Sequence, residues 1–274
     1  MKQQPFNRPF LKWAGGKYRV LPRIFEKLPE GKRLIEPFVG SGAVFLNTDY
    51  SSYLLADINP DLINLYQKVQ DHGESFVEEA SHYFVKKNNT ESIYYANRHR
   101  FNTTQDTLEK ALLFLYLNRH GYNGLCRYSV KSGFNVPFGR YTSPYFPEKE
   151  LMHFIEKSKK ATFVCIDFVK TLQRARKGSV VYCDPPYVPL TLTANFTQYS
   201  KDGFNLEQQT LLAEQAKKLA QRGIPVLISN HATELTSELY VSAEKVSFPV
   251  RRFISCDSLS RVHAQELLAL FKAC

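Results

Sequence analysis

Asp184-Pro185-Pro186-Tyr187 follows directly on the apolar run Val180, Val181, Tyr182, Cys183. The run reads as a short buried strand, and two prolines bar its continuation. One carboxylate, one rigid turn and one aromatic ring are thereby set at the C-terminal end of a strand. That is the edge where open α/β sheets bind ligands. Such a trio suits a flat group that donates hydrogen bonds, for instance the amino edge of a nucleobase. The alternative is a strand-ending turn whose Asp caps backbone amides.

Glu36-Pro37-Phe38-Val39-Gly40-Ser41-Gly42 is a second candidate, a strand running into a glycine loop ahead of a helix. Glycines there let the backbone approach a ligand closely. Asp57 ends the next strand, 15 residues after Gly42, where an acid can accept hydrogen bonds from ribose hydroxyls. The other role open to Asp57 is capping the helix that begins at Asn59-Pro60. The loop lacks GxxxxGK[ST], which argues against an ATPase, and it is not the full GxGxxG of NAD enzymes. A nucleoside cofactor without a pyrophosphate fits, and S-adenosylmethionine is the obvious one. Upstream, Trp13-Ala14-Gly15-Gly16-Lys17 offers a ring to cover a flat group and a lysine for a carboxylate or carbonyl. A buried Trp and a surface Lys would serve equally.

These residues need a scaffold, and the hydrophobic spacing supplies one. Strands are expected over 33–38, 53–56, 162–166, Ser179–Cys183 and 225–229, with closing strands at 245–251 and 266–271. Helices are expected to start at 43–47 and to run over 61–70, Thr107–His120, 169–175 and Leu206–Gln221. In the second of these long helices Leu108, Ala111, Leu112, Leu115 and Tyr116 share one face. Alternation of this kind implies a mostly parallel, doubly wound sheet. Residues 61–147 interrupt it, and between Gly121 and Pro147 glycine, proline, asparagine and aromatics replace helical periodicity. The expected organisation is a catalytic domain over 1–60 and 148–274, with a helical, loop-rich insertion over 61–147.

Charge points to the partner. The 274 residues carry a formal net charge of +10. Residues 86–160 hold 13 Lys/Arg against 6 Asp/Glu, interleaved with Tyr and Phe. Cations meet phosphates and rings stack on bases, so a nucleic-acid surface is expected there. No two of the five cysteines stand at CxxC spacing, which argues against structural zinc. No apolar run could span a bilayer and the N-terminus lacks an apolar signal core, so a cytoplasmic protein is expected. Nothing requires an obligate protein partner.

The order WAGGK, FVGSG, ADIN, a basic aromatic insertion and DPPY resembles the α group of amino-methyltransferases that act on DNA. FLKWAGGKY, EPFVGSGAVFLNTD, LFLYLNRHGYNGLCRY, FNVPFGRY, VVYCDPPY, TANFT and LISNH look more specifically like the Dam family of DNA adenine methyltransferases. The resemblance runs from about Phe10 to Lys272. It implies a Rossmann-like, S-adenosylmethionine-dependent methyltransferase sheet with a DNA-recognition insertion. It further implies transfer of a methyl group to N6 of a flipped adenine in GATC, with S-adenosylhomocysteine as product and double-stranded DNA as partner. Trp13, Lys17, Asp57, Phe38, Gly40 and Gly42 match cofactor-binding positions. Asp184 matches the catalytic acid and a cofactor-proximal position, within a catalytic motif completed by Pro185, Pro186 and Tyr187. Tyr122, Asn123, Leu125 and Arg127 match the base-reading hairpin, with Arg127 as guanine reader and Tyr122 entering the base stack. Lys12, Pro137 and Arg140 match further DNA contacts. The chemistry so implied needs no metal.

One region departs from the family pattern. Residues 256–263 read CDSLSRVH, where relatives generally carry an Asn-Gly loop and more basic charge. Two alternatives share parts of the pattern: an RNA or protein-glutamine methyltransferase, and a catalytically silent DNA-binding regulator.

Overall fold

A computed structural model of the chain describes residues 6–188, 204–250 and 264–274. The divergent stretch 256–263 and the TANFT motif at 193–197 lie outside them. The first half holds α1 (Leu21–Phe25), β1 (Arg33–Glu36), α2 (Ala43–Leu46), β2 (Ser52–Asp57), α3 (Pro60–His72), α4 (Glu74–Ser81), α5 (Glu91–Thr103) and α6 (Thr107–His120). A short hairpin, β3 (Tyr128–Ser129) and β4 (Gly133–Phe134), follows. Then come α7 (Glu148–Ser158), β5 (Ala161–Cys165), α8 (Phe168–Gln173) and β6 (Ser179–Cys183). The chain closes with α9 (Leu206–Gln221), β7 (Val226–His231), α10 (Glu234–Leu239), β8 (Glu244–Val250) and β9 (Ala264–Phe271).

Seven strands form one sheet in the order β5-β2-β1-β6-β7-β9-β8. The β1–β6 and β6–β7 pairs are parallel, while β9 runs antiparallel to both β7 and β8. This is the expected Rossmann-like α/β sheet. All five residues of β6 are buried, as a central strand covered on both faces requires. Contacts divide the chain into two compact units. One comprises Met1–Leu21, Val39–Asp49 and Leu54–Cys165, the other Pro22–Phe38, Tyr50–Tyr53 and Ile166–Cys274.

In the first unit an aromatic cluster, Phe10, Phe45, Tyr66, Phe154 and Phe163, packs mostly edge to face. Its Tyr66 hydroxyl donates to the Gly40 carbonyl, so α3 holds the glycine loop from below. Asn59 caps α3 by accepting from the amides of Asp61 and Leu62, and Pro60 supplies the preset first helical turn. Asp106 caps α6 in the same way. From Ala111 to His120 every residue of α6 is buried, against the single apolar face expected from its spacing. Packing against both α3 and α5 is the reason. The spacing names no helix at α1, α7 or α10, and α4 and α5 lie in the insertion expected to be helical without stated bounds. Polar residues interrupt the periodicity of α5, which is held by Thr90 at its N-cap and by tyrosine and phenylalanine packing, while α7 buries Leu151, Phe154, Ile155 and Ser158 on one face.

His120 ends α6 with its ring stacked on Tyr116, centroids 4.0 Å apart, and Nδ1 hydrogen-bonded to the Tyr116 carbonyl. Burial lowers its pKa from the ordinary 6.5 to about 4. The unfolded chain therefore takes up this proton first as pH falls. Stability should decline between pH 6.5 and about 4, by up to roughly 3 kcal/mol from this group. Urea unfolding at several pH values checks this. His120→Phe should remove that share of the decline, and a parallel decline in both proteins would reject it.

Candidate functional site

In the first unit the glycine loop is built around backbone that only glycine adopts easily. Gly40 and Gly42 have φ of 47° and 72°. At Gly40 the constraint is double, because an added Cβ would stand 2.9 Å from Trp13 Nε1. Trp13 therefore lies directly against the loop. Asp57 faces the same loop: Oδ2 accepts from the Gly40 amide at 3.2 Å and Oδ1 from the Asn59 amide at 3.0 Å. Burial raises the Asp57 pKa, and these backbone bonds oppose the shift. Asp57 is thus not the cap of α3, since Asn59 takes that part. A carboxylate offers about four lone-pair directions, so two amides leave room for hydroxyl donors. Lys17 is buried, with Nζ donating to the Gly15 carbonyl at 2.8 Å.

The hairpin region belongs to the same unit. Tyr122 is half-exposed and its amide donates to the Pro137 carbonyl, which holds these two predicted DNA contacts together. Asn123 adopts a left-handed φ of 53°, and its amide donates to the Tyr141 hydroxyl at 2.9 Å. Leu125 is half-buried and its amide closes the turn onto the Tyr122 carbonyl. Arg127 is exposed, with Nε on Asn135 Oδ1 at 2.7 Å and Nη2 on the Asn135 carbonyl at 3.2 Å. Arg140 is also exposed, lies 3.7 Å from Glu91 and holds φ of 52°. A non-glycine residue in that region costs about 1 kcal/mol or more, and such strain tends to accumulate at functional sites.

Lys12 differs from the other predicted DNA contacts. Its ammonium sits 4.0 Å from the Tyr141 ring centroid and 3.4 Å from the Arg119 carbonyl. Burial, and then the neighbouring Arg119, lower its pKa. Its main chain is clamped by buried Asn118, which accepts from Lys12 N at 2.9 Å and donates to Lys12 O at 2.8 Å and Gly124 O at 3.3 Å. One amide thus ties the Trp13 segment to the hairpin. A second tie starts beyond Asp57: Asn59 donates to Cys126 Sγ at 3.4 Å, and Tyr128 donates to Asp61 Oδ2 at 2.7 Å. The two residues flanking Arg127 are both anchored this way. None of these linking roles was expected from the sequence. Asn118→Ala strands a buried amide and two carbonyls, and should destabilise the protein by about 2 kcal/mol. Chemical unfolding checks this, and a loss under about 0.5 kcal/mol would show the clamp to be idle.

The second unit holds Phe38 and the turn after β6. Phe38 stacks on Phe168 with ring centroids 5.6 Å apart, and Phe204 meets it edge-on. Around the turn, Pro185 is buried, Pro186 exposed, and Asp184 and Tyr187 half-buried. The turn hangs on a buried polar network. Gln209 Nε2 donates to the Pro186 carbonyl at 2.8 Å, and Gln209 Oε1 accepts from Asn230 Nδ2 at 3.2 Å. Asn230 Oδ1 accepts from the amides of Val188 and His231, and its Nδ2 also reaches the Tyr240 hydroxyl. His231 Nδ1 bonds the Val188 carbonyl at 2.7 Å, and its ring meets Tyr187 edge-on. The Tyr187 hydroxyl donates to Glu266 on β9.

Burial, then the Asp184 and Glu266 charges, raise the Tyr187 pKa far above the ordinary phenol value, so it remains a donor. Burial and the Asp184 charge likewise push up Tyr182 and Cys183. LISNH could have signalled this network, since a polar Ser229-Asn230 pair inside a buried strand demands partners. Gln209 and Glu266 carry no comparable signal.

Known proteins are similar in sequence to this chain over nearly its full length. The DNA adenine methylase of Escherichia coli (strain K12) is 56% identical over 266 residues, covering 97% of this chain and 96% of its own. That of Vibrio cholerae serotype O1 (strain ATCC 39315 / El Tor Inaba N16961) is 52% identical over 272 residues, 99% of this chain and 97% of its own. That of Serratia marcescens is 54% identical over 267 residues, 97% and 99% respectively. The family described as D12 class N6 adenine-specific DNA methyltransferase matches residues 13–252. With that family match and more than half of its residues identical to such enzymes over nearly its full length, the chain belongs to the D12 class of N6 adenine-specific DNA methyltransferases.

Proposed function

We propose that the protein methylates N6 of adenine in GATC within duplex DNA, using S-adenosylmethionine and turning the target base out of the helix. The observation that carries the reading is the Asp184-Pro185-Pro186-Tyr187 turn, held by buried Gln209 and Asn230 in a chain of this family. Trp13, Lys17, Gly40, Gly42, Phe38 and Asp57 would hold the donor. The Gly40 backbone, free of a Cβ beside Trp13, and the Asp57 carboxylate fit a nucleoside with free ribose hydroxyls. When bound, S-adenosylmethionine supplies an electrophilic methyl and leaves as S-adenosylhomocysteine.

Adenine N6 is a poor nucleophile because its lone pair is delocalised into the ring. Its two hydrogens are donors. Asp184 and the Pro185 carbonyl accept them, which favours a tetrahedral nitrogen and stabilises the positive charge that develops there. Tyr187 stacks on the base, with its hydroxyl anchored on Glu266. Gln209 and Asn230 keep the turn in place before the base arrives, so little reorganisation remains for the reaction step. A duplex hides N6, and flipping the base exposes it.

Residues 61–147 act as the target-recognition insertion on a catalytic domain formed by 1–60 and 148–274. There Arg127 reads guanine, Tyr122 fills the stack, and Asn123, Leu125, Pro137, Arg140 and Lys12 shape the DNA contact. With DNA as substrate and bacterial methylases as relatives, the cytoplasm is the place of action. No helix among the described residues is long and apolar enough to cross a membrane. The test is direct: plasmid from a methylation-deficient host is incubated with enzyme and S-adenosylmethionine, then cut with nucleases that distinguish methylated from unmethylated GATC. Protection confined to GATC is expected. Incorporation of label elsewhere, or none, would overturn the reading.

A further inference from the structure

Six cations meet at the end of the sheet opposite the Asp184 turn. Lys32 and Arg33 lead into β1, Arg174, Arg176 and Lys177 lie between α8 and β6, and Arg222 follows α9. They converge because β1 and β6 are parallel neighbours with Arg33 paired to Ser179, so their entries lie side by side. The Lys32 amide donates to the Gly178 carbonyl at 2.9 Å, and Arg222 Nη2 reaches the Ala175 carbonyl at 3.2 Å. All but the half-buried Arg33 are exposed. Among the described residues none of the six forms an ion pair with a carboxylate, whereas Lys27, nearby in sequence, is paired with Glu244. Burial lowers the Arg33 pKa, and the positive charges of Arg176 and then Arg174 lower it further, so the cluster is close enough to repel itself. Asp184 follows the last residue of β6 and the cluster precedes its first. Five residues of strand at about 3.3 Å each separate them.

A self-repelling group of exposed cations is stabilised by a polyanion. The cluster contains no aromatic residue, so it can meet phosphates but not stack on bases. We propose that this surface binds the phosphate backbone of a second DNA segment, separate from the duplex at the catalytic turn. The choice of DNA over other polyanions rests on the DNA-methylating reading above. The binding itself does not require that methylation occur.

The experiment uses full-length protein and the variant Arg174→Gln/Arg176→Gln/Lys177→Gln. Each is first saturated with a short GATC duplex and then titrated with a second, fluorescent duplex lacking GATC, over a series of salt concentrations. The wild-type complex should take up the second duplex. The variant should bind it roughly 10-fold more weakly near 0.1 M salt, with the slope of log affinity against log salt reduced by about 2 to 3. Turnover on the short duplex should be unchanged. The proposal is overturned if the wild-type complex takes up no second duplex at low salt, or if affinity and slope match in the two proteins. It is equally overturned if phosphatidylserine vesicles or polyglutamate, and not DNA, lose binding in the variant. Because the readout is DNA binding, failure to methylate GATC would strike the functional reading and leave this one standing.

Discussion

Asp184→Ala is expected to lower the methyl-transfer rate by about 1,000-fold or more, while DNA affinity stays within a few-fold of wild type. The carboxylate is the charged acceptor at the turn, and after burial its charge is the next cause that raises the pKa values of Tyr182, Cys183 and Tyr187. Removing a negative charge from beside a developing cation is costly. The turn should survive, because Pro186 and Val188 are held through Gln209, Asn230 and His231. Asp184→Asn separates charge from shape: it keeps one acceptor oxygen and should fall between alanine and wild type. Single-turnover methylation with labelled donor, alongside DNA binding by anisotropy, gives both quantities. Wild-type turnover in the alanine variant would sink the assigned chemistry. A matching collapse of DNA binding would make Asp184 a structural residue.

Arg127→Ala should cost discrimination at one guanine of the site by about 10- to 100-fold, with a much smaller effect on general DNA binding. The geometry supports this split. Of five guanidinium hydrogens, the one on Nε and one on Nη2 go to Asn135. The far edge of the fork keeps donors for O6 and N7 of guanine. Asn135 thereby sets the angle at which Arg127 is presented, and Tyr128 and Cys126 hold the backbone on either side. Arg127→Lys should not rescue, since an ammonium cannot reproduce two parallel donors. Competition between duplexes altered one base at a time provides the measurement. An unchanged preference at every guanine would remove Arg127 from the reading role and leave it a phosphate contact.

Much of the scaffold was legible because it depends on local periodicity. Ser179–Cys183 and Thr107–His120 have the expected bounds, as does Leu206–Gln221, whose Asn205–Gln208 capping box marks its start. Strand ends were legible where charge or proline ends an apolar run, as at Asp57 and Asp184. Helices α1 and α10 are too short and α5 too polar to advertise a face, whereas α7 does carry one, with Leu151, Phe154, Ile155 and Ser158 at helical spacing. The spacing of α6 suggested one buried face, yet neighbours on several sides bury its whole second half.

The same division runs through the site. Residue order alone places the chemical inventory: an acid and an aromatic ring at a proline turn, a glycine loop with an acid one strand later, and a basic aromatic insertion. Those are decided by residue type and by spacing along the chain. What holds them depends on contacts made across the fold. Gln209 and Glu266 lie far from Asp184 along the chain, and Asn118 is 106 residues from Lys12. Spacing alone leaves Asp57 two roles, and the fold settles the cap, because Asn59 caps α3 while the Gly40 amide points at the Asp57 carboxylate. A buried hydrogen bond is satisfied by whichever partner the fold brings within reach, and short-range sequence pattern does not encode that choice.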